Sequence, residues 1–429
     1  MEKPVQIGLL GCGTVGGGVL SILQANAERI AARAGVPLHV RRVAVRDPNK
    51  NRPVALDADV VTTDPWEVVN DPQVDIVVEV MGGVDPARDL IAAALERGKP
   101  VVTANKEVLA KHGTALWSLA ARRGVDLFFE GSVAGGIPII KPLRESLAAN
   151  RVEAIVGIIN GTTNYMLTRM SREGMAFADV LREAQALGYA EADPASDVEG
   201  YDAAFKIAIL ASLAFETPVR VEDVYCEGIT RITPEDIRYG KELGYELKLL
   251  AIAREDNGRL EVRVHPTFIP SGHPLAAVND VFNAIFVRGD AVGELMFYGR
   301  GAGSLPTGSA VVADLIDAVR RLRHGGNGRL QPPEAGLPVK PIEETVSQFY
   351  VSLRVVDRPG VLASIAAAFG EHSVSIQSVI QKGRLEDPVD LVFVTHEVQE
   401  ANIRRALEQI SRLPVVRQVS NVIRVEAEV

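Results

Sequence analysis

The sequence predicts an α/β protein in three parts: an N-terminal domain around a parallel sheet, a middle α+β domain with a mixed sheet, and a small C-terminal domain of ferredoxin-like order. Three observations carry this. Through the first 135 or so residues, apolar β-branched runs alternate with longer helical patterns, as expected of strands joined by crossover helices. After Gly135 that rhythm gives way to one long apolar run and three successive helical patterns. The last eighty or so residues read β, α, β, β, α, β behind a stretch dense in glycine and proline.

The N-terminal strands are expected at Val5–Leu10, Val40–Val45, Asp75–Val80, Pro100–Thr103 and Val125–Phe129. Between them, Pro86–Arg97 and Lys106–Arg123 space apolar residues three and four apart with charges opposite, the period of an amphipathic helix. The middle domain opens with a strand over Glu153–Asn160 and helices over Tyr165–Ser171, Phe177–Leu187 and Tyr201–Ala214. Runs at Leu260–Pro266 and Ala284–Arg288 supply further strands for a mixed sheet. Near Gly301 a glycine-rich turn leads into a helix over Ala310–Arg323, long enough to return to the first domain. Gly325, Gly326, Gly328, Pro332, Pro333, Gly336 and Pro338 then mark a linker. Beyond it the six elements fall at Phe349–Val355, Val361–Glu371, Ser375–Gln381, Val389–Thr395, Ile403–Leu413 and Val415–Val425. The expected divisions are therefore 1–135, completed by a helix at about 305–323, then 136–304, a linker over 324–345, and 346–429.

Bulk properties narrow the function. A chain of 429 residues exceeds the size at which one core keeps growing, about 250–300 residues, so several domains are expected. No segment approaches eighteen uninterrupted apolar residues, and the start carries no basic stub or long apolar run, so a cytosolic protein without a membrane partner is expected. A net charge of −9 without a sustained basic run disfavours nucleic acid and favours a small-molecule ligand. Cys12 and Cys226 are too few for a disulfide framework, and the seven histidines show no metal-ligand spacing.

Gly11-Cys12-Gly13-Thr14-Val15-Gly16 fits G-x-G-x-x-G at the first strand–helix junction, ahead of a helix expected to run to about Arg33. Gly11 permits the turn, Gly13 lets the backbone approach a pyrophosphate, Gly16 lets helix and strand pack, and the N–H groups of Thr14 and Val15 face the phosphate charge. A ligand-free tight turn is the bland alternative; the context favours a Rossmann-type dinucleotide domain. At the end of the second strand, Asp47 would suit the ribose 2′-hydroxyl of NAD and Arg46 the 2′-phosphate of NADP. Arg46 coming first, with Lys50 nearby, favours NADP and leaves NAD possible, although either side chain fits equally well as a solvated surface charge. Thr103 and Lys106 end a strand at the sheet edge where such folds bind ligands.

Five carboxylates, Glu191, Asp193, Asp197, Glu199 and Asp202, crowd the stretch from Glu191 to Asp202, and Asp202 and Lys206 stand four apart on one expected helix. On spacing alone a surface ion pair is the better reading. The apolar flanks Ala203–Phe205 and Ile207–Leu210 argue instead for a buried helix, where a lysine is paired, functional or both. Nucleophilic catalysis finds little support, since Cys226 has no histidine close in sequence and Cys12 is accounted for by the turn, though a helix N-terminus there could lower its pKa.

These motifs together resemble the homoserine dehydrogenase family: the glycine turn at 11–16, Thr-Ala-Asn-Lys at 103–106, Glu-Gly-Ser-Val-Ala-Gly-Gly-Ile-Pro at 130–138, Asn-Gly-Thr-Thr-Asn-Tyr at 160–165 and Leu-Gly-Tyr-Ala-Glu-Ala-Asp-Pro at 187–194. The resemblance runs in order from residue 5 to about 323. It implies NAD(P)-dependent interconversion of L-aspartate 4-semialdehyde and L-homoserine, in the aspartate-derived branch towards threonine and methionine. By position it makes Lys206 the proton donor and acceptor, places Lys106 between nicotinamide and substrate, and gives Glu191, Asp202 and the backbone of Gly188 to the amino acid. It further implies a cofactor contact at Gly303, a structural sodium ion on main-chain oxygens of Glu130, Val133, Gly135 and Ile137, and a homo-oligomer, as a dimer through the middle domain. The C-terminal segment resembles an ACT domain through Val355–Ala363, with Gly360 placed for an amino-acid effector, threonine being the natural one. His372-Ser373 stands where many ACT domains have Asn-Gly or His-Gly, and a dimerisation module without ligand is nearly as good a reading. Aspartate semialdehyde dehydrogenase, the nearest rival, needs a cysteine nucleophile with a partner histidine; a sensor on a degenerate scaffold would have lost part of the Glu191, Asp202, Lys206 set.

Overall fold

A computed structural model of the chain describes residues 3–52, 54–325, 336–382 and 388–427. The packing of the chain divides it into two compact units, residues 1–155, 205–223 and 283–337 in the first, and 156–204, 224–282 and 338–429 in the second.

In the first unit, β1 (Val5–Leu10), β2 (Leu38–Ala44), β3 (Val61–Thr62), β4 (Ile76–Glu79), β5 (Val101–Thr103) and β6 (Leu127–Phe128) form one sheet in the order β3-β2-β1-β4-β5-β6. Every adjacent pair is parallel. The order reverses between β1 and β4, the switch point at which such sheets bind nucleotides. Helices α1 (Thr14–Ala25), α2 (Ala27–Ala34), α3 (Pro65–Asn70), α4 (Ala87–Glu96) and α5 (Lys106–Arg123) connect the strands. Sequence punctuation sets their limits: Asp64 and Asn105 cap the starts of α3 and α5 with side-chain hydrogen bonds, and left-handed Gly35 and Gly124 close α2 and α5.

The helix expected to run from the glycine turn to Arg33 is two helices. Asn26 leaves the helical conformation at φ −118° and ψ 22° and begins the second, as suits a residue whose short amide competes with the helix ladder. The long helix α11 (Ser304–His324) lies against α1 in this unit, and its Val311, Val312, Leu315, Ala318 and Val319 join the core of the parallel sheet. Its start at Ser304 lies one residue before the 305 expected for the helix that completes this domain, and six before Ala310, where the apolar period begins. β11 (Phe282–Gly289) and β12 (Gly293–Arg300) are neighbours, and β12 exposes Met296 and Tyr298.

In the second unit, β9 (Tyr245–Asp256), β10 (Arg259–Pro270), β13 (Val346–Val355), β14 (Ile376–Lys382), β15 (Val389–Thr395) and β17 (Val416–Val425) follow the order β9-β10-β17-β13-β15-β14. Two short strands attach to them, β8 (Tyr225–Cys226) to β10 and β16 (Val398–Gln399) to β13. Helices α12 (Val361–Glu371) and α13 (Glu400–Ser411) complete the ferredoxin-like module, whose core gathers Phe349, Leu353, Ile365, Phe369, Phe393 and Ile403. The module is not set apart from the middle segment: β10 and β17 pair in parallel at Thr267 with Arg424 and Phe268 with Val425. The linker reading, drawn from residues of which 326–335 lie outside the described ones, gives no hint of this pairing.

β7 (Val152–Ile158) and α9 (Tyr201–Ala214) have residues in both units, and α6 (Gly161–Glu173), α7 (Phe177–Ala186), α8 (Ala195–Val198) and α10 (Pro234–Glu242) belong to the second. The expected α/β class, with a parallel sheet, further strands and a terminal ferredoxin-like module, is the one observed. Among the described residues no helix is long and apolar enough to cross a membrane.

Candidate active site

The glycine turn joins β1 to α1. Gly11 is left-handed at φ +98°, and a Cβ on it would stand 2.9 Å from the Val80 carbonyl; a Cβ on Gly16 would stand 2.2 Å from the Gly11 carbonyl. Gly13, by contrast, has open space where a Cβ would be. Backbone crowding therefore requires glycine at 11 and 16, while Gly13 leaves room for a ligand to approach. Cys12 lies inside this turn, and burial raises its thiol pKa against the pull of Arg52. That corrects the expectation that the helix end would lower it.

Arg46 and Asp47 are exposed beyond the end of β2. The residue that reaches the turn from this loop is Arg52, whose guanidinium donates to the carbonyls of Lys50 at 2.7 Å and Asp47 at 2.5 Å and lies beside Cys12. Reading the sequence passed over it, since nothing local marks one arginine six residues after another.

At the carboxyl edge of β4 and β5, the buried carboxyl of Glu79 accepts from Thr103 Oγ1 at 2.6 Å and the Met81 N–H at 2.8 Å. Burial raises its pKa despite these donors. Asn105 receives an N–H bond at its side chain from Val108, capping α5, and gives its amide to Gly83. Thr103 is thus committed to the network beneath, and Lys106 opens α5 on a fixed base.

Glu130 sits at the turn after β6. Its carboxylate accepts the N–H groups of Ile139, Ile140 and Lys141 at 2.6, 2.9 and 2.7 Å, and its own N–H donates to Asp314 on α11. Burial and the neighbouring Glu130 hold Asp314 well above the usual carboxylate range. Ala134 and Gly135 are both left-handed, which curls the chain back over 130–137. Gly303, at φ +126°, precedes the first turn of α11.

In the second unit, Asn160, two residues beyond β7, caps α6 by accepting from the Thr163 N–H at 2.8 Å. Its amide reaches Asp197 Oδ1 at 2.7 Å and Asp202 Oδ2 at 2.9 Å. This joins the 160–165 motif to the acidic stretch, a connection that sequence reasoning missed. Thr162 donates to the Tyr189 carbonyl, and Gln185 to the Glu191 carbonyl, holding the loop after left-handed Gly188. The side chain of Glu191 is exposed. On α9, Asp202 and Lys206 are 3% and 7% exposed, so the pair is buried and not a surface ion pair.

Burial pushes the Cys226 thiol up to about 12, removing it as a nucleophile near neutrality. In the C-terminal module, Gly360 is left-handed at φ +91° directly before α12, and Ser373 is left-handed at φ +57° where the sequence departs from Asn-Gly. Among the described residues no group of three or more His, Cys, Asp or Glu is placed to hold a metal ion.

Comparisons with known proteins identify the family. Family models match in chain order: the homoserine dehydrogenase NAD-binding domain over residues 11–130, the homoserine dehydrogenase domain over 138–316 and the ACT domain over 349–415. A homoserine dehydrogenase of Synechocystis is 48% identical over 98% of this chain and 99% of its own. The crystal structure of a homoserine dehydrogenase from Thiobacillus denitrificans, 47% identical, superposes with a TM-score of 0.93 over 99% of each chain. A hyperthermophilic archaeal homoserine dehydrogenase in complex with NADPH, 28% identical, superposes with a TM-score of 0.62 over 74% of this chain and 98% of its own.

Proposed function

Since this chain belongs to the homoserine dehydrogenase family and is by that membership an oxidoreductase, we propose that it interconverts L-aspartate 4-semialdehyde and L-homoserine with Lys206 as acid and base. The observation that carries this is the buried carboxylate and lysine one turn apart on α9, with Asn160 fixing the carboxylate.

A bound nicotinamide supplies the hydride to the aldehyde carbon, or takes it back. The chain's own residues do the rest. Lys206, as ammonium, gives a proton to the forming alkoxide oxygen; in reverse, the neutral amine takes the hydroxyl proton. Asp202 and Glu191 hold the substrate ammonium, the Gly188 backbone helps, and Lys106 lies between nicotinamide and substrate. Gly11, Gly13, Thr14, Val15, Gly16, Thr103 and Gly303 form the cofactor cradle. We read the preference as NADP, with Arg46 and Arg52 as the cations for a 2′-phosphate; the archaeal relative was solved with NADPH.

A sodium ion fits the turn at Glu130, Val133, Gly135 and Ile137. The Glu130 carboxylate is occupied by three N–H groups, so main-chain oxygens are what this turn offers a cation. The exposed apolar side chains of β12 suit a homodimer contact. The ACT domain is the natural seat of an amino-acid effector, threonine first, at Gly360, and the protein is read as cytoplasmic.

The test is NADPH and NADH oxidation with aspartate semialdehyde, comparing the native chain with Lys206→Ala, with and without threonine. Native turnover and a loss of about 10²–10⁴ in kcat for the variant, with cofactor binding kept, is expected. Turnover by neither protein, with threonine bound, would make the chain a sensor.

A further inference from the structure

We propose that Arg424, on the last strand of the C-terminal module, is a positioning residue for the substrate-binding carboxylate Asp202, acting through β8 on the turn that starts α9. The proposal rests on the role given to Asp202 above.

Arg424 is 5% exposed. Its Nε and Nη2 donate to Glu400 Oε2 and Oε1 at 2.9 and 2.7 Å, a bidentate pair inside the module. The remaining edge of the guanidinium reaches out of the module: Nη1 donates to Glu227 Oε2 at 2.9 Å, Nη2 to Tyr225 Oη at 3.2 Å, and the cation lies 4.9 Å from the Tyr225 ring centre. Tyr225 and Glu227 flank Cys226 on the two-residue strand β8. A strand that short pairs with β10 only at Arg263 and Val264, so its place depends on side-chain anchors.

The other face of β8 bears on the start of α9. Cys226 Sγ donates to the Glu199 carbonyl at 3.3 Å, and a Cβ on left-handed Gly200 would meet that sulfur at 3.0 Å. A Cβ on Gly228 would fall 2.1 Å from the Val198 carbonyl, which also accepts the Ile229 N–H. Nothing larger than glycine fits, so the turn Val198–Gly200 follows wherever β8 goes. Two residues later comes Asp202, and the Gly200 carbonyl accepts the Ala204 N–H as α9 begins. Losing Arg424 would leave the carboxylates of Glu400 and Glu227 without their shared cation and free β8 to shift. The displacement reaches the groups that hold the amino acid and spares the glycine turn that holds the cofactor.

The full-length protein tests this as the native chain, Arg424→Met, Arg424→Lys and Arg354→Met. Arg354 is an exposed partner of Asp390 in the same module and serves as control. Steady-state kinetics would give kcat and KM for homoserine and for NADP, with NADPH Kd by fluorescence and Tm by calorimetry. Arg424→Met should raise the homoserine KM about tenfold while leaving the NADP KM and the NADPH Kd within about twofold. Arg424→Lys should recover part of that change, since it keeps the charge and loses the fork, and Arg354→Met should match the native chain. A lower Tm with both KM values unmoved, or equal changes in both, would leave Arg424 a structural residue and overturn the proposal. Should Arg424→Met fail to fold, Tyr225→Phe removes one link and must raise the homoserine KM alone; no rise there overturns the proposal too. A native chain that turns over homoserine and loses affinity on Asp202→Asn, but not on Arg424→Met, refutes this inference only. A native chain inert towards homoserine refutes both.

Discussion

At the scale of single residues, one amide has the most to do. Asn160 accepts from the Thr163 N–H and donates to both Asp197 and Asp202. Asn160→Asp keeps the helix cap and replaces the donor by a third carboxylate within hydrogen-bond distance of two others. Like charges so close cannot all ionise. We expect kcat/KM for homoserine to fall by about 10- to 100-fold, the equivalent of about 1.4–2.8 kcal/mol, with a pH dependence that the native chain lacks. Cofactor binding should hold. A flat pH profile with unchanged kcat/KM would mean that the amide does not orient Asp202. The asparagine was legible as part of a motif and as a helix start. Its reach to residues 37 and 42 positions later was not, because a side-chain bond across such a span leaves no local pattern. The same holds for Arg52, folded back onto the loop before it. Cys12 was misjudged for a related reason: a helix N-terminus is visible in sequence, whereas the desolvation that outweighs it is not.

At the scale of elements, helices were read from their caps and apolar period, and α5, α9 and α12 fall where that period put them. The omissions are instructive. β9 runs twelve residues and pairs along its length with β10, yet Glu246–Arg254 carries three leucines and two alanines beside Glu246, Lys248 and Arg254, residues that favour helix. Tertiary pairing overrides that preference. The available signal was Asn257-Gly258, both left-handed at φ +52° and +75°, the two-residue turn that joins twisted strands. The return of α11 to the first sheet depends on glycine, because α1 and α11 touch backbone to backbone. A Cβ on Gly18 would stand 2.1 Å from the Ser304 carbonyl, and one on Gly308 would stand 2.9 Å from the Gly18 carbonyl carbon. Gly18→Ala must push the start of α11 away, at a cost of about 1–3 kcal/mol. A Tm lower by several degrees and a weaker NADPH Kd should accompany it, since Gly303 immediately precedes α11. An unchanged Tm would show that the helices can part without penalty.

At the scale of the molecule, the C-terminal module was legible as a βαββαβ unit and its attachment was not. Strand order within it follows from pairing rules, but the parallel step from β17 to β10 is a choice made by side chains. Those side chains are charged and buried. Arg263, 1% exposed, donates to Glu426 at 2.8 Å and Ser347 at 3.2 Å, and its Nη1 lies 3.3 Å from His265 Nε2. The His265 ring donates from Nδ1 to the Pro266 carbonyl and accepts from Arg263 at Nε2, the neutral tautomer that this neighbourhood assigns. Burial first, then Arg424 and Arg263, hold its pKa well below 6.5. The sign of the linkage follows. The folded state keeps His265 neutral while the unfolded chain takes up a proton below about pH 6.5, so the stabilising term is complete above that value and is lost as pH falls towards the folded pKa. In that window this one group removes about 1.4 kcal/mol of stability per pH unit. His265→Gln keeps an acceptor for Arg263 and cannot titrate, so the drop in Tm between pH 7.5 and 5.0 should be smaller in the variant than in the native chain. Hydrogen exchange at pH 5 should rise first in β10 and β17. Parallel Tm curves for the two proteins would mean that acid acts elsewhere, and that the seam joining the module to β10 is held by its ion pairs whatever the state of the histidine between them.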